Sequence, residues 1–125
     1  MNRLLLDSCI LIDYLREHPP AVGYIRTLAA EPLLSAVTIA EVYVGVRNRV
    51  EASRVETLVD LFVVLAVDAE IACQAGGLRR RFARSHGTGL LDALIAATAQ
   101  VQGARLVTRN ARHFPMLDDL LVPYQ

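Results

Sequence analysis

The chain has 125 residues, with 13 basic residues, all of them arginine, against 13 acids, and 54% of its residues are hydrophobic. Those proportions exclude a disordered chain, and the length suits one ordinary domain, residues 1–125, that buries its own core without disulfides or structural metal. A formal net charge of +0 gives no bulk electrostatic reason to expect nucleic-acid binding, so any such role must rest on local charge.

Met1 to Leu6 runs directly into a short apolar strand over Arg3–Leu6, without the cationic region and long apolar core of a secretion signal. The chain is therefore expected to be cytoplasmic. Asp7 and Ser8 end that strand abruptly and open a helical segment that carries Asp13. Pro19 and Pro20 punctuate the chain before Val22–Ala30, whose apolar positions have helical spacing. Leu33–Ala36 reads as a second strand and Thr38–Val46 as the helix after it. Val55, Leu58, Val59 and Phe62 mark another apolar helix face, followed by a β-branched strand over Phe62–Val67. Ile71, Ala75, Leu78 and Phe82 repeat at helical spacing. Gly76 and Gly77 would weaken that helix by roughly 1 kcal/mol each, which predicts a kink or a tight packing contact there. Leu90–Val101 is an Ala-rich helix that Gly103 stops; Arg105–Thr108 and Leu120–Val122 read as the fourth and fifth strands.

Strands alternating with helices predict an α/β fold with a mostly parallel sheet covered on both faces. Asp60, Asp68 and Asp92 interrupt the most hydrophobic regions, so no bilayer span is expected. Cys9 and Cys73 match neither a disulfide framework nor a CxxC pair and are expected to be buried free thiols.

Asp7 directly follows a strand, at the sheet edge where ligands bind in such folds, yet an Asp between strand and helix also serves as an N-cap. Both readings stay open. Thr38-Ile-Ala-Glu41 satisfies a capping-box pattern, so Glu41 by itself reads as a cap. Asp92 stands among Leu90, Leu91, Ala93, Leu94 and Ile95, where an unpaired carboxylate is costly, although a helix amino terminus also favours an acid. Together the three acids can converge on one edge of the sheet. Converging carboxylates repel, and a hard divalent cation relieves that repulsion and can activate water for phosphodiester hydrolysis, with one ion or two.

The segments Leu4-Leu-Leu-Asp-Ser-Cys-Ile-Leu-Ile-Asp-Tyr-Leu15, Ser35-Ala-Val-Thr-Ile-Ala-Glu41, Leu90-Leu-Asp-Ala-Leu-Ile-Ala-Ala-Thr-Ala99 and Leu106-Val-Thr-Arg-Asn-Ala-Arg-His-Phe114 give the chain an order and spacing that resembles PIN-domain toxins of the VapC type. The resemblance implies a PIN-like α/β fold, endoribonuclease activity dependent on Mg²⁺ or Mn²⁺, a VapB-type antitoxin and a homodimer within the toxin–antitoxin complex. Carried over by position, Asp7, Glu41 and Asp92 match the family's principal acids and metal ligands. Asn110 occupies the place of a fourth acid as a catalytic candidate, supplying an amide in place of a charge. Ser8 and Thr108 match polar positions suited to orienting water.

Arg109 and Arg112, beside the carboxylate edge, are candidates for RNA phosphates; the Arg79, Arg80, Arg81 and Arg84 cluster reads first as a solvated helix face and second as an RNA-binding surface. Asp13 lies beyond the family's acidic positions, Asp118 and Asp119 read as a solvated turn, and His113 has no paired His or Cys ligand and no Ser–His–Asp setting. Two other functions compete. A phosphohydrolase or receiver-like domain using Asp7 as phosphoryl acceptor would normally bring a lysine, and the chain has none. An interaction protein that keeps the PIN scaffold without cutting RNA would account for Asn110.

Overall fold

The computed structural model describes residues 3–29 and 31–125; Met1, Asn2 and the Ala30 end of the expected Val22–Ala30 helix lie outside the described residues. Among the described residues the order is β1 (Leu4–Leu6), α1 (Ser8–Leu15), α2 (Pro19–Arg26), β2 (Leu33–Ser35), α3 (Ala36–Val44), α4 (Arg49–Val59), β3 (Val63–Leu65), α5 (Ala69–His86), α6 (Leu90–Gln102), β4 (Arg105–Val107), a 3₁₀ turn over Ala111–His113, and β5 (Leu120–Leu121). The five strands form one sheet in the order β3-β2-β1-β4-β5, with each pairing parallel. This is the α/β architecture expected from the alternation of strands and helices.

Period-two alternation divides the apolar strand residues between the two faces of the sheet. Leu6, Leu34 and Val107 pack with Ile10, Leu11, Ile25, Val42, Val55 and Leu58 from α1 to α4. Leu5, Leu33 and Leu106 pack on the other face with Ile95, Ala96 and Ala99 of α6 and with Phe114. A third layer lies outside α6, where Ala93 and Ala97 meet Ile71 and Ala75 of α5. The alanines explain α6: a helix buried against the sheet on one side and α5 on the other needs small residues around most of its circumference.

Several expected boundaries move, each for a local reason. α2 begins at Pro19, because a proline in the first helical turn lacks only an N–H that would have no intrahelical partner. α3 begins at Ala36, not Thr38, because the Ser35 hydroxyl accepts the Val37 N–H at 3.1 Å and caps the helix earlier. The Thr38–Glu41 capping box is therefore not formed. The β-branched run after α4 contributes only Val63–Leu65, an edge strand paired with β2 alone, and Val63 and Val64 are exposed. Gly76 and Gly77 sit inside an unbroken α5, and a Cβ built on either meets nothing within 4 Å, so the expected tight contact is absent among the described residues. Gly103, at φ 62, does end α6, in a left-handed conformation that costs glycine little. Both cysteines are free, but Cys73 is exposed and Cys9 only half-buried, against the expected burial. Cys73 lies about 200° around the helix from Ile71, the residue that anchors α5 inward.

Candidate active site

The strand order changes direction beside β1: successive strands run outward through β2 and β3, and the chain then returns to place β4 on the other flank. In an open parallel sheet the crevice beyond the strand carboxyl ends at such a switch is where ligands bind. Asp7 follows β1 and Thr108 follows β4, so both stand at this crevice.

Asp7 is 5% exposed, and each of its oxygens has a different partner. Oδ1 accepts the Ser8 N–H at 2.9 Å as the N-cap of α1, while Oδ2 accepts the Thr108 hydroxyl at 2.8 Å. The capping reading is thus correct for one oxygen and leaves the other unexplained. Thr108 is fully buried and its oxygen also accepts the Asn110 N–H at 3.0 Å, which ties the loop after β4 to the Asp7 carboxylate. Cys9 Sγ lies 3.8 Å from Asp7 Oδ2 and accepts the Arg109 N–H at 3.5 Å. Burial and the neighbouring Asp7 charge push its thiol up to about 11, so it stays a protonated packing group at neutral pH.

Glu41 projects from the middle of α3 and Asp92 from the first turn of α6, both half-buried. The electrostatics link all three acids. Burial raises the Asp7 carboxyl above its ordinary range against its hydrogen bonds, with the charge of His113 also opposing. Burial, then the charges of Asp7 and Asp92, raise Glu41, with the Ser8 hydroxyl pulling the other way. Burial and Asp7 raise Asp92, against His113 and the Gly89 N–H. His113 Nδ1 stands 3.5 Å from Asp92 Oδ2. The sequence context of His113 had offered no partner, and its link to Asp92 depends on the 3₁₀ turn carrying it back to the start of α6.

Asn110 and Arg112 are exposed on that loop, and the Asn110 side chain caps nothing. Arg109 donates from Nη1 to Asp13 Oδ2 at 2.7 Å, and Tyr124 donates its hydroxyl to the same oxygen at 2.8 Å. The guanidinium also lies 5.8 Å from the centre of the Tyr124 ring. Asp13, secondary in the sequence, thus joins α1 to the loop after β4 and to the carboxyl-terminal tail. Tyr124 carried no sequence signal for this, because nothing local couples it to Asp13. Asp119 pairs with Arg105 at 3.0 Å and remains largely exposed.

No group of three or more His, Cys, Asp or Glu among the described residues has the arrangement that would hold an ion. The chemistry of the donors nevertheless suits a hard divalent cation, since carboxylate oxygens are its preferred ligands and an added positive charge would lower all three raised carboxyls together. On the same face of α3, one turn before Glu41, the Thr38 hydroxyl is buried with no hydrogen-bond partner among the described residues. An ordered water satisfies a buried hydroxyl of this kind.

Residues 4–120 match the PIN domain family, and the chain is 40% identical over 124 residues to ribonuclease VapC19 of Mycobacterium tuberculosis, covering 96% of this chain and 98% of that protein. The chain belongs to the VapC family of PIN-domain proteins. A second VapC relative, the tRNA(fMet)-specific endonuclease VapC of Shigella flexneri, is 29% identical over 126 residues and covers 96% of each chain. Among solved structures, a toxin–antitoxin complex from Klebsiella pneumoniae contains a chain that superposes with a TM-score of 0.84 at 28% identity, covering 98% of both chains. In this VapC-family chain Asp7 and Thr108 meet at the β1–β4 crevice, and the charge of Asp7 reaches Glu41 and Asp92.

Proposed function

We propose that residues 1–125 act as one cytoplasmic domain: a Mg²⁺- or Mn²⁺-dependent endoribonuclease that serves as the toxin of a type II toxin–antitoxin pair. The observation that carries this reading is a buried Asp7 held by the Thr108 hydroxyl at the topological switch, with Glu41 and Asp92 near enough for its charge to raise both. Relatives named as a ribonuclease and an endonuclease support RNA as substrate, and the toxin–antitoxin complex among the structural neighbours supports a VapB-type partner. A homodimer within that assembly belongs to the same proposal. No described helix is long and apolar enough to cross a membrane.

Asp7 and Asp92, with Glu41, would hold the cation, which when bound supplies water activation and charge stabilisation at the leaving oxygen. The remaining work falls to this chain's own side chains. Thr108 fixes the orientation of Asp7, so the carboxylate does not have to be ordered when substrate arrives. Ser8 stands beside Glu41, suited to orienting water, and Asn110 offers an uncharged amide oxygen or N–H donors at the exposed rim. Arg112 is open to phosphate, whereas Arg109 already gives one donor to Asp13.

The test is cleavage of RNA by purified antitoxin-free protein, with chelator, Mg²⁺ or Mn²⁺, for wild type and for Asp7→Asn and Asp92→Asn. Metal-dependent cleavage lost in both variants is the expected result. Wild-type activity in either folded variant would remove that residue from the site, and metal binding without turnover in wild type would favour the scaffold-only reading.

A further inference from the structure

An acidic site that must receive a polyanion needs positive potential nearby, and a chain of zero net charge can supply it only locally. Between Glu70 and Asp92 there is no acid, and this stretch carries Arg79, Arg80, Arg81 and Arg84. All four are exposed, and none forms an ion pair among the described residues. By contrast Arg47, Arg105 and Arg109 are each committed to an acid, and Arg3 and Arg54 to backbone carbonyls.

α5 buries Ile71 and Ala75 against α6, which turns Arg80 and Arg84, one helical turn apart, to the opposite side, with Arg81 on their flank. The cluster occupies the carboxyl-terminal end of α5. Only Gly87 to Gly89 separate α5 from α6, so the two helices form a hairpin whose closed end carries both the arginines and Asp92. Gly77 adjoins Arg80 and Arg81 on the outer arc and Gly76 lies at its border; a Cβ built on either meets nothing within 4 Å among the described residues, which leaves that surface low beside the arginines.

We infer that the outward face of α5 around Arg80, Arg81 and Arg84 is a docking surface for the phosphate backbone of RNA that extends beyond the cleaved bond. Guanidinium groups suit phosphate oxygens, and such contacts are independent of base sequence. The inference rests on the ribonuclease reading for its partner, but binding can be measured apart from cleavage.

The probe is unfractionated tRNA, and the protein is the full chain carrying Asp7→Asn, so that affinity is read without turnover. Arg80→Gln with Arg84→Gln should weaken binding about tenfold near 0.1 M salt and flatten the dependence of log K on log salt by roughly 1.5, the loss of about two phosphate contacts. Arg80→Lys with Arg84→Lys should recover most of the affinity, and Arg26→Gln, exposed on α2 across the sheet, should change little. Glutamine keeps helix propensity at these exposed positions, and an unchanged melting midpoint confirms folding. An unaltered salt slope in the double glutamine variant overturns the inference, as does an equal loss in Arg26→Gln. Loss of binding to polyglutamate with tRNA binding intact also overturns it, assigning the face to an acidic protein. If the protein without Asp7→Asn never cleaves RNA but the slope still shifts, the cleavage reading falls and the docking surface stands.

Discussion

Asp7 combines a helix cap and a charge on one buried side chain, and substitution can separate the two. Asparagine keeps an oxygen for the Ser8 N–H but removes the charge, so Asp7→Asn should stay folded while cleavage falls about 10²-fold or more. Thr108 is the matching test of orientation. Thr108→Val deletes the 2.8 Å donor to Asp7 and the acceptor for Asn110, and should lower metal affinity or activity about 10- to 100-fold, with Thr108→Ser restoring most of it. Titration of Mn²⁺ against each variant reads the effect directly, and equal affinity in valine and threonine forms would discard the positioning role. Glu41 is freed from capping because Ser35 caps α3. Ser35→Ala should therefore cost about 1 kcal/mol of stability, whereas Glu41→Gln should leave stability largely intact and reduce cleavage per folded molecule. Chemical denaturation of the two variants distinguishes them, and the reverse ranking would return Glu41 to a structural role.

Among the elements, the loop after β4 is held from two directions. Thr108 ties it to β1 through Asp7, and Arg109 ties it to α1 through Asp13, which Tyr124 also bonds from beyond β5. Tyr124→Phe removes one hydrogen bond from an acid that keeps its arginine, so unfolding in urea should show a loss of about 1 kcal/mol with cleavage per folded molecule unchanged. A fall in turnover without a change in stability would instead make the tail part of the chemistry. Apolar periodicity was enough to read the strands and helices, because burial on a sheet face or helix stripe requires that spacing. Their ends were less legible: Ser35 and Thr38 both offer caps within four residues, and the choice depended on where β2 leaves the sheet.

Across the whole molecule, the buried Asp7 and the half-buried Glu41 and Asp92 oppose the stability of the fold that holds them. Asp7, Glu41 and Asp92 have folded-state pKa values above their ordinary 3.8, 4.5 and 3.8, so the folded chain holds these protons more tightly than the unfolded chain. Their contribution to stability therefore falls as pH rises from the ordinary values through the raised ones and remains lower above them. Without metal, the melting midpoint of Asp92→Asn minus that of wild type should grow more positive across this window, and added Mg²⁺ at neutral pH should raise wild type more than the variant. Thermal melts across pH, with chelator and with Mg²⁺, measure both. A difference that shrinks with rising pH would mean that Asp92 is stabilised as a carboxylate by partners such as His113.

The sequence by itself determined the α/β class, the parallel sheet and the order of its elements, because period-two and helical apolar patterns record which faces must leave water. It also marked Asp7, Glu41, Asp92 and Thr108, whose residue types and spacing along the chain carry the family resemblance. Only the tertiary structure decided which of them meet. The Thr108 hydroxyl on Asp7, His113 beside Asp92 and Tyr124 on Asp13 join positions 101, 21 and 111 residues apart. Contacts at such separations depend on strand order and on how the returning loops pack, and no local pattern of side chains encodes them. The same holds for Cys73 and the α5 arginines: their types are visible in the chain, but their exposure follows from which side of α5 is turned against α6.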